Sequence, residues 1–231
     1  MGWMARSTRP VPKEKEPAVG QPGVSAWAEY EKRRAGDEAR RRERFGLLAP
    51  IVGLLAGPRD STEAWARGAE GEQHVGRMID HAVGTSGWVL HDRSLPGTRA
   101  NIDHLVVVPS GIWVIDTKHY RGTIERHRTG VLGLRSGLFV AGRDAGPLVA
   151  AAERQRARVE RSLAHGVPVR VSLCFTGARW SPLARPFSLG GVLVTWPSAL
   201  GRTLRAPGPL GAAERKALAA QLSRTFPPYR E

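Results

Sequence analysis

The chain has 231 residues, 41% hydrophobic and 24% charged, which suits one ordinary folded domain plus a tail. That composition excludes a wholly disordered chain and a coiled coil. The longest apolar stretch, the thirteen residues Phe45 to Gly57, contains Pro50 and falls short of the roughly 20 residues of a spanning helix. Thirty-five basic against twenty-one acidic residues leave a net charge of +14, a field that favours nucleic acid or an anionic membrane face. Arginine makes up thirty of the basic residues. Codon bias explains arginine over lysine, but not the surplus over acids.

The first 26 residues mix four prolines with glycine and charge, show no apolar periodicity, and predict a disordered basic tail. Residues 27–44 predict a polar, Arg-rich helix that is either a solvated surface or, with the apolar stretch after it, a membrane-surface element. Residues 1–59 are accordingly assigned to the tail and residues 60–231 to a folded domain. Asp60-Ser61-Thr62-Glu63 has the form of a capping box and opens a helix over 61–83. Strands follow at 87–93, 102–108 and 111–118, the last two joined tightly at Pro109-Ser110-Gly111. Glycine-rich residues 121–142 suggest further short strands. A helix over 147–165, strands at 167–175 and 191–195, and a helix over 209–224 complete the order. The single cysteine, Cys174, excludes an internal disulfide and a multi-cysteine zinc site. With no signal peptide in evidence, a reducing cytoplasm is the expected compartment.

The chemistry concentrates between Asn101 and Lys118. Apolar strands rarely carry charge, yet Asp103 lies in one and Asp116 and Lys118 in the next. Residues two apart on a strand share a face, so Asp116 and Lys118 point together and Thr117 points away. Carboxylates from neighbouring strands offer hard oxygen ligands for Mg²⁺, and the lysine can orient or activate a water beside a phosphate. An ordinary ion pair at the strand ends is the plain alternative. Glu72 borders the buried face of the 61–83 helix, where a lone charge needs a partner or a metal, a neighbouring arginine being the simpler partner. Gln155 falls on the apolar stripe of the 147–165 helix and needs a hydrogen-bonding partner. Beside it Arg154, Arg158 and Arg161 form a stripe that reads either as phosphate contacts or as solvated surface. Beyond residue 60 the only lysines are Lys118 and Lys216, against 21 arginines. Arginine would serve a surface ion pair as well, but it does not give up a proton beside a nucleophilic water.

How Asp103 meets Asp116 depends on the turn. A two-residue loop at Pro109-Ser110 sets them directly opposite. The residues themselves favour a type I turn with a glycine bulge, which sets Asp103 opposite Thr117 and requires a second bulge or twist near Asn101. By either route the two carboxylates are expected to converge.

These residues resemble a known family. Gly68-Ala-Glu-Gly71-Glu72, Trp88-Val-Leu-His-Asp92, the run from Asn101 through Asp103 to Asp116-Thr-Lys118, and Tyr120-Arg-Gly122 look like the nuclease-related domain (NERD). That domain is similar to the PD-(D/E)xK nucleases, whose core order is αβββαβ, and the resemblance covers roughly residues 60–175. It implies an α/β, restriction-endonuclease-like fold with a mixed sheet, and C-terminal additions over 176–231. It also implies metal binding at Asp103 and Asp116 with Glu72 supporting, a catalytic role for Lys118, and a supporting role for Gln155. Ile102 stands where that superfamily often has proline. The expected activity is Mg²⁺- or Mn²⁺-dependent hydrolysis of a phosphodiester, DNA first. The rivals are a non-catalytic nucleic-acid-binding module on the same fold and a membrane-peripheral protein using residues 27–57.

Overall fold

The computed structural model describes residues 17–45, 60–98, 100–129 and 135–229. Side chains at the expected capping box lie outside the described residues, as does most of the apolar stretch 45–57. In chain order the elements are α1 (Val24–Phe45), α2 (Asp60–Val83), β1 (Trp88–Ser94), β2 (Asn101–Val108), β3 (Gly111–Thr129), β4 (Arg135–Val140), β5 (Arg143–Asp144), α3 (Gly146–Glu160), β6 (Val169–Arg179), β7 (Phe187–Leu189), β8 (Val192–Thr195), α4 (Pro197–Leu204) and α5 (Ala212–Thr225). The expected αβββαβ order is therefore present from α2 to β6. The glycine-rich region after Lys118 holds the expected short strand β4, with β5 just beyond it, while its first part continues β3 to a length of 19 residues.

Among the described residues eight strands form one mixed sheet in the order β1-β2-β3-β6-β8-β7, with β4 pairing the far half of β3 and β5 pairing β4. β1, β2 and β3 are antiparallel, while β3, β6 and β8 run parallel. Alternation along the strands sends two apolar sets to opposite faces. One face carries Leu105, Val107 and Val114 against α3 and α5 through Ala152, Val159, Leu218 and Leu222. The other carries Val106, Trp113 and Ile115 against α2 and α4 through Val75, Ile79, Leu200 and Leu204. Cys174 lies in this second cluster, where burial pushes its thiol up and packing is its role. Among the described residues, no helix is long and apolar enough to cross a membrane.

Residues 17–26 make contacts with the folded domain. The His91 N–H donates to Val19 O at 2.8 Å, and the segment lies along the start of the domain. Its main anchor is Arg93, whose side chain is fully buried. The Arg93 guanidinium donates to Phe226 O at 2.7 Å, Ala18 O at 2.8 Å and Ser223 O at 3.2 Å. One planar fork thus ties the N-terminal segment and α5 to β1, a geometry a lysine lacks. Arg93→Ala leaves those carbonyls without donors, and is expected to cost about 2–4 kcal/mol in urea unfolding. A loss below about 0.5 kcal/mol, the range of ordinary surface changes, would contradict this anchoring role.

Candidate active site

The Pro109-Ser110 turn sets the register of the site. Val108 pairs with Gly111 and His104 with Ile115, so the loop has two residues and the bulged turn favoured by its composition is not formed. Tertiary contacts account for the difference. Pro109 O accepts the Leu210 N–H at 3.1 Å, Ser110 Oγ accepts the Trp113 indole N–H at 3.1 Å, and Pro168 O accepts the Ile112 N–H at 2.9 Å. These bonds hold both ends of the turn from three parts of the chain.

In this register Asp103 belongs opposite Asp116, but the backbone ladder stops one residue earlier, at His104. Asp103 instead accepts the Thr117 N–H on its Oδ2 at 2.7 Å, so a carboxylate replaces a ladder carbonyl. Across β1 the matching position, Asp92, is unpaired and sits at φ +47°. Aspartate tolerates this left-handed conformation better than most residues, and three bonds hold it there. Asp92 accepts the Ser25 N–H at 2.6 Å and the Asn101 side-chain amide at 2.8 Å, and its own carbonyl accepts the Tyr229 N–H at 2.8 Å. The strands thus carry a paired break at Asp92 and Asp103 with no net slip of register.

α2 brings the third carboxylate. The helix approaches β6 closely because Gly71 has no side chain: a Cβ there would stand 2.8 Å from Thr176 Oγ1. Glu72 is consequently buried, only 6% exposed, and accepts the Gly23 N–H at 2.9 Å. α1 has no acidic residue in its first turn, so Glu72 and Asp92 serve the orphan N–H groups at its start. This was not legible in the sequence, because the helix borrows its cap from residues far along the chain.

Glu72, Asp103, Thr117 and Lys118 line one cleft of about 600 Å³, with Ser25 and Arg33 from the N-terminal segment on its wall. Lys118 Nζ lies 2.6 Å from Asp116 Oδ1. The carboxyls repel one another. Burial, and then Asp92, raise Glu72 to about 7. Burial, then Glu72 and Asp116, hold Asp103 well above the usual carboxylate range. Burial alone would lower the Lys118 amine, but Asp116 and Asp103 outweigh it and hold it above its ordinary value. Lys118 is therefore a firm ammonium.

Beneath the cleft runs a polar chain that sequence reading missed. His91 Nε2 lies 3.0 Å from Asp80 Oδ1, His91 Nδ1 lies 2.9 Å from His104 Nδ1, and His104 Nε2 lies 3.3 Å from Thr117 Oγ1. Burial lowers both imidazoles, and since a carboxylate only accepts, the donors run from Thr117 through His104 and His91 to Asp80. The chain holds the Thr117 side chain on the helix face, leaving its N–H for Asp103. The strand pairing of His91 with His104 that makes it is a tertiary fact.

The remaining expected site residues divide. Gln155 reaches the site's margin: its Nε2 donates to Asn101 O at 3.2 Å, and its buried Oε1 has no hydrogen-bond partner. The arginine stripe does not line the cleft. Arg154 is exposed, Arg158 donates to Pro96 O, and Arg161 sits by the loop that leads into the start of β6. That loop enters the sheet at the end opposite Lys118, because β3 and β6 are parallel.

The donor set has the chemistry of a divalent-cation site, three carboxylates whose oxygens are hard and whose mutual repulsion a cation would relieve. Among the described residues, however, no group of three or more histidine, cysteine, aspartate or glutamate side chains is arranged to hold a metal ion. Each carboxylate is engaged elsewhere: Glu72 by Gly23, Asp103 by Thr117 and Asp116 by Lys118.

Comparison with known proteins gives a partial match. An uncharacterised protein of Bacillus anthracis is 32% identical over 81 residues, 34% of this chain and 38% of the relative. The match thus spans well under half of that protein's length. No solved structure matches significantly. The family described as nuclease-related domain matches residues 67–176, the segment that runs from Glu72 through Asp103, Asp116 and Lys118 to Thr176. Residues 67–176 of this chain are a nuclease-related domain.

Proposed function

We propose that this domain hydrolyses phosphodiester bonds in nucleic acid, with DNA the first substrate to test, and that it uses Mg²⁺ or Mn²⁺. The observation that carries the reading is the gathering of Glu72, Asp103 and Lys118 on one cleft, with Asp116 ion-paired to Lys118. Asp103 and Asp116 would hold the cation, with Glu72 in support. When bound, the ion supplies charge stabilisation at the phosphate and a more acidic water. The chain's own contributions follow from the contacts. The Thr117 N–H orients Asp103, the start of α1 orients Glu72, and Gln155 steadies the backbone at Asn101. Lys118 acts as a fixed positive charge that stabilises the developing phosphate oxyanion and orients the attacking water. The buried Cys174 suits a reducing cytoplasm.

A binding module without turnover is the second reading, favoured by the engagement of all three carboxylates with other partners. Incubation of the full chain with plasmid and linear DNA, with and without Mg²⁺ or Mn²⁺, separates the two. Nicked or linear product is expected only with the metal and only with Lys118 intact. In either case the charge of +14 predicts that DNA affinity falls steeply between 50 and 200 mM salt. Salt-independent binding would point away from a polyanion partner.

A further inference from the structure

The strands β3, β6 and β8 run parallel, and β8 ends at Thr195, level with Cys174 of β6 and with Thr117, the residue before Lys118, on β3. Ligands of open α/β sheets bind outside the carboxyl ends of such strands. A second cavity, of about 340 Å³, opens there beside the carboxylate cleft. Phe175 and Thr176 of β6, Trp180 just after it, Trp196 just after β8, and His74 of α2 line it. It is one strand away from the chemistry: Phe175 pairs with Lys118 across β3 and β6, a backbone separation of about 4.8 Å. Its Thr176 is also linked to His119, the residue after Lys118, by a 3.1 Å hydrogen bond between Oγ1 and Nδ1.

The lining has a particular chemistry. The Trp180 and Trp196 rings stand 4.8 Å apart at 54°, and Phe187 lies 6.5 Å from Trp180. The exposed Arg126 carries its guanidinium 5.8 Å over Phe187. Aromatic rings therefore line the cavity, and Phe187 with its cation, Arg126, stands beside Trp180. Both tryptophans are only half-buried, and the buried Trp180 indole N–H has no acceptor. The occupant that answers all three features is a planar ring with acceptor atoms, carried on an anionic strand. A nucleobase fits that description, and the +14 charge of the chain favours the phosphates that come with it. Inside a duplex both faces of a base are already stacked, so only an unpaired or splayed base can enter.

We propose that this cavity receives an unpaired nucleobase next to the phosphate presented at Lys118, so that single-stranded or splayed nucleic acid is the preferred substrate. The base site stands on the cavity itself; the word substrate rests on the nuclease reading above.

The test uses the full-length protein in EDTA and two fluorescein-labelled probes, a short single strand and the same sequence as a duplex, read by anisotropy. Trp196→Ala is expected to weaken single-strand binding about tenfold and leave duplex binding within about twofold. Trp180→Phe, which keeps a ring but removes the N–H, is expected to lose less. Circular dichroism monitors folding. If Trp196→Ala does not fold, quenching of tryptophan emission by the single strand serves instead, and it should be larger in the wild type than in Trp180→Phe. Equal loss on both probes, no loss on either, or quenching that ignores Trp180 overturns the base site. Tryptophan-dependent binding without any metal-dependent cleavage supports the base site and overturns only the nuclease reading.

Discussion

Asp116→Asn is expected to abolish metal-dependent cleavage while leaving the circular dichroism spectrum unchanged. Asparagine has the same shape and keeps an oxygen toward Lys118, now 2.6 Å from Asp116 Oδ1, so the strand and its packing survive. What disappears is the negative charge. Asp116 is buried, only 4% exposed, and its charge therefore acts at low dielectric on both Lys118 and any cation in the cleft. Loss of several kcal/mol of transition-state stabilisation corresponds to about a thousandfold or more in rate. Lys118→Ala removes the cation of the same pair and is expected to match it, since residues acting as a unit are not additive. Single-turnover assays on plasmid DNA at saturating Mg²⁺ check both. Cleavage by Asp116→Asn at the wild-type rate removes the catalytic role and leaves the binding module.

The second large effect is on stability, and it has the opposite sign. Glu72→Gln is expected to stabilise the metal-free protein at pH 8 by about 2–3 kcal/mol. In the folded chain the Glu72 carboxyl sits at about 7, against 4.5 for the ordinary group, because it is buried and faces Asp92 and Asp116. The folded state therefore binds this proton more tightly than the unfolded state does. Stability that is fully present below pH 4.5 is lost as the pH rises through 7, and Asp103, also raised, adds a loss of the same sign. Glutamine carries no charge to lose and can still accept the Gly23 N–H. Melting curves in EDTA should show the wild type falling behind Glu72→Gln by about 5–10 °C between pH 5 and 8. Parallel curves for the two proteins would mean that the glutamate is not under electrostatic strain. A stabilised but inactive Glu72→Gln is the signature expected of a group kept for chemistry at a cost to the fold.

The sequence by itself determined the features that local periodicity and composition encode. These are the order αβββαβ, the strands holding Asp103 and Asp116-Thr-Lys118, the placement of Glu72 on the buried side of its helix, and the basic balance of the chain. Each depends on side chains two, three or four residues apart, so each survives without knowledge of the tertiary fold. Only the tertiary structure decided how these pieces meet. The Pro109-Ser110 turn takes the two-residue form because Leu210 and Pro168 hold its neighbours, overriding the preference of the turn residues themselves. Residues 17–26, tail-like in composition, are anchored because Arg93, Glu72 and Asp92 lie 49 to 75 residues away with donors and acceptors to spare. The left-handed Asp92, the His91–His104 chain and the alignment of β3, β6 and β8 that creates the tryptophan cavity are likewise products of strand pairing. A hydrogen bond between such distant residues leaves no periodic trace in the chain, and the energy that selects it exists only once the sheet has formed.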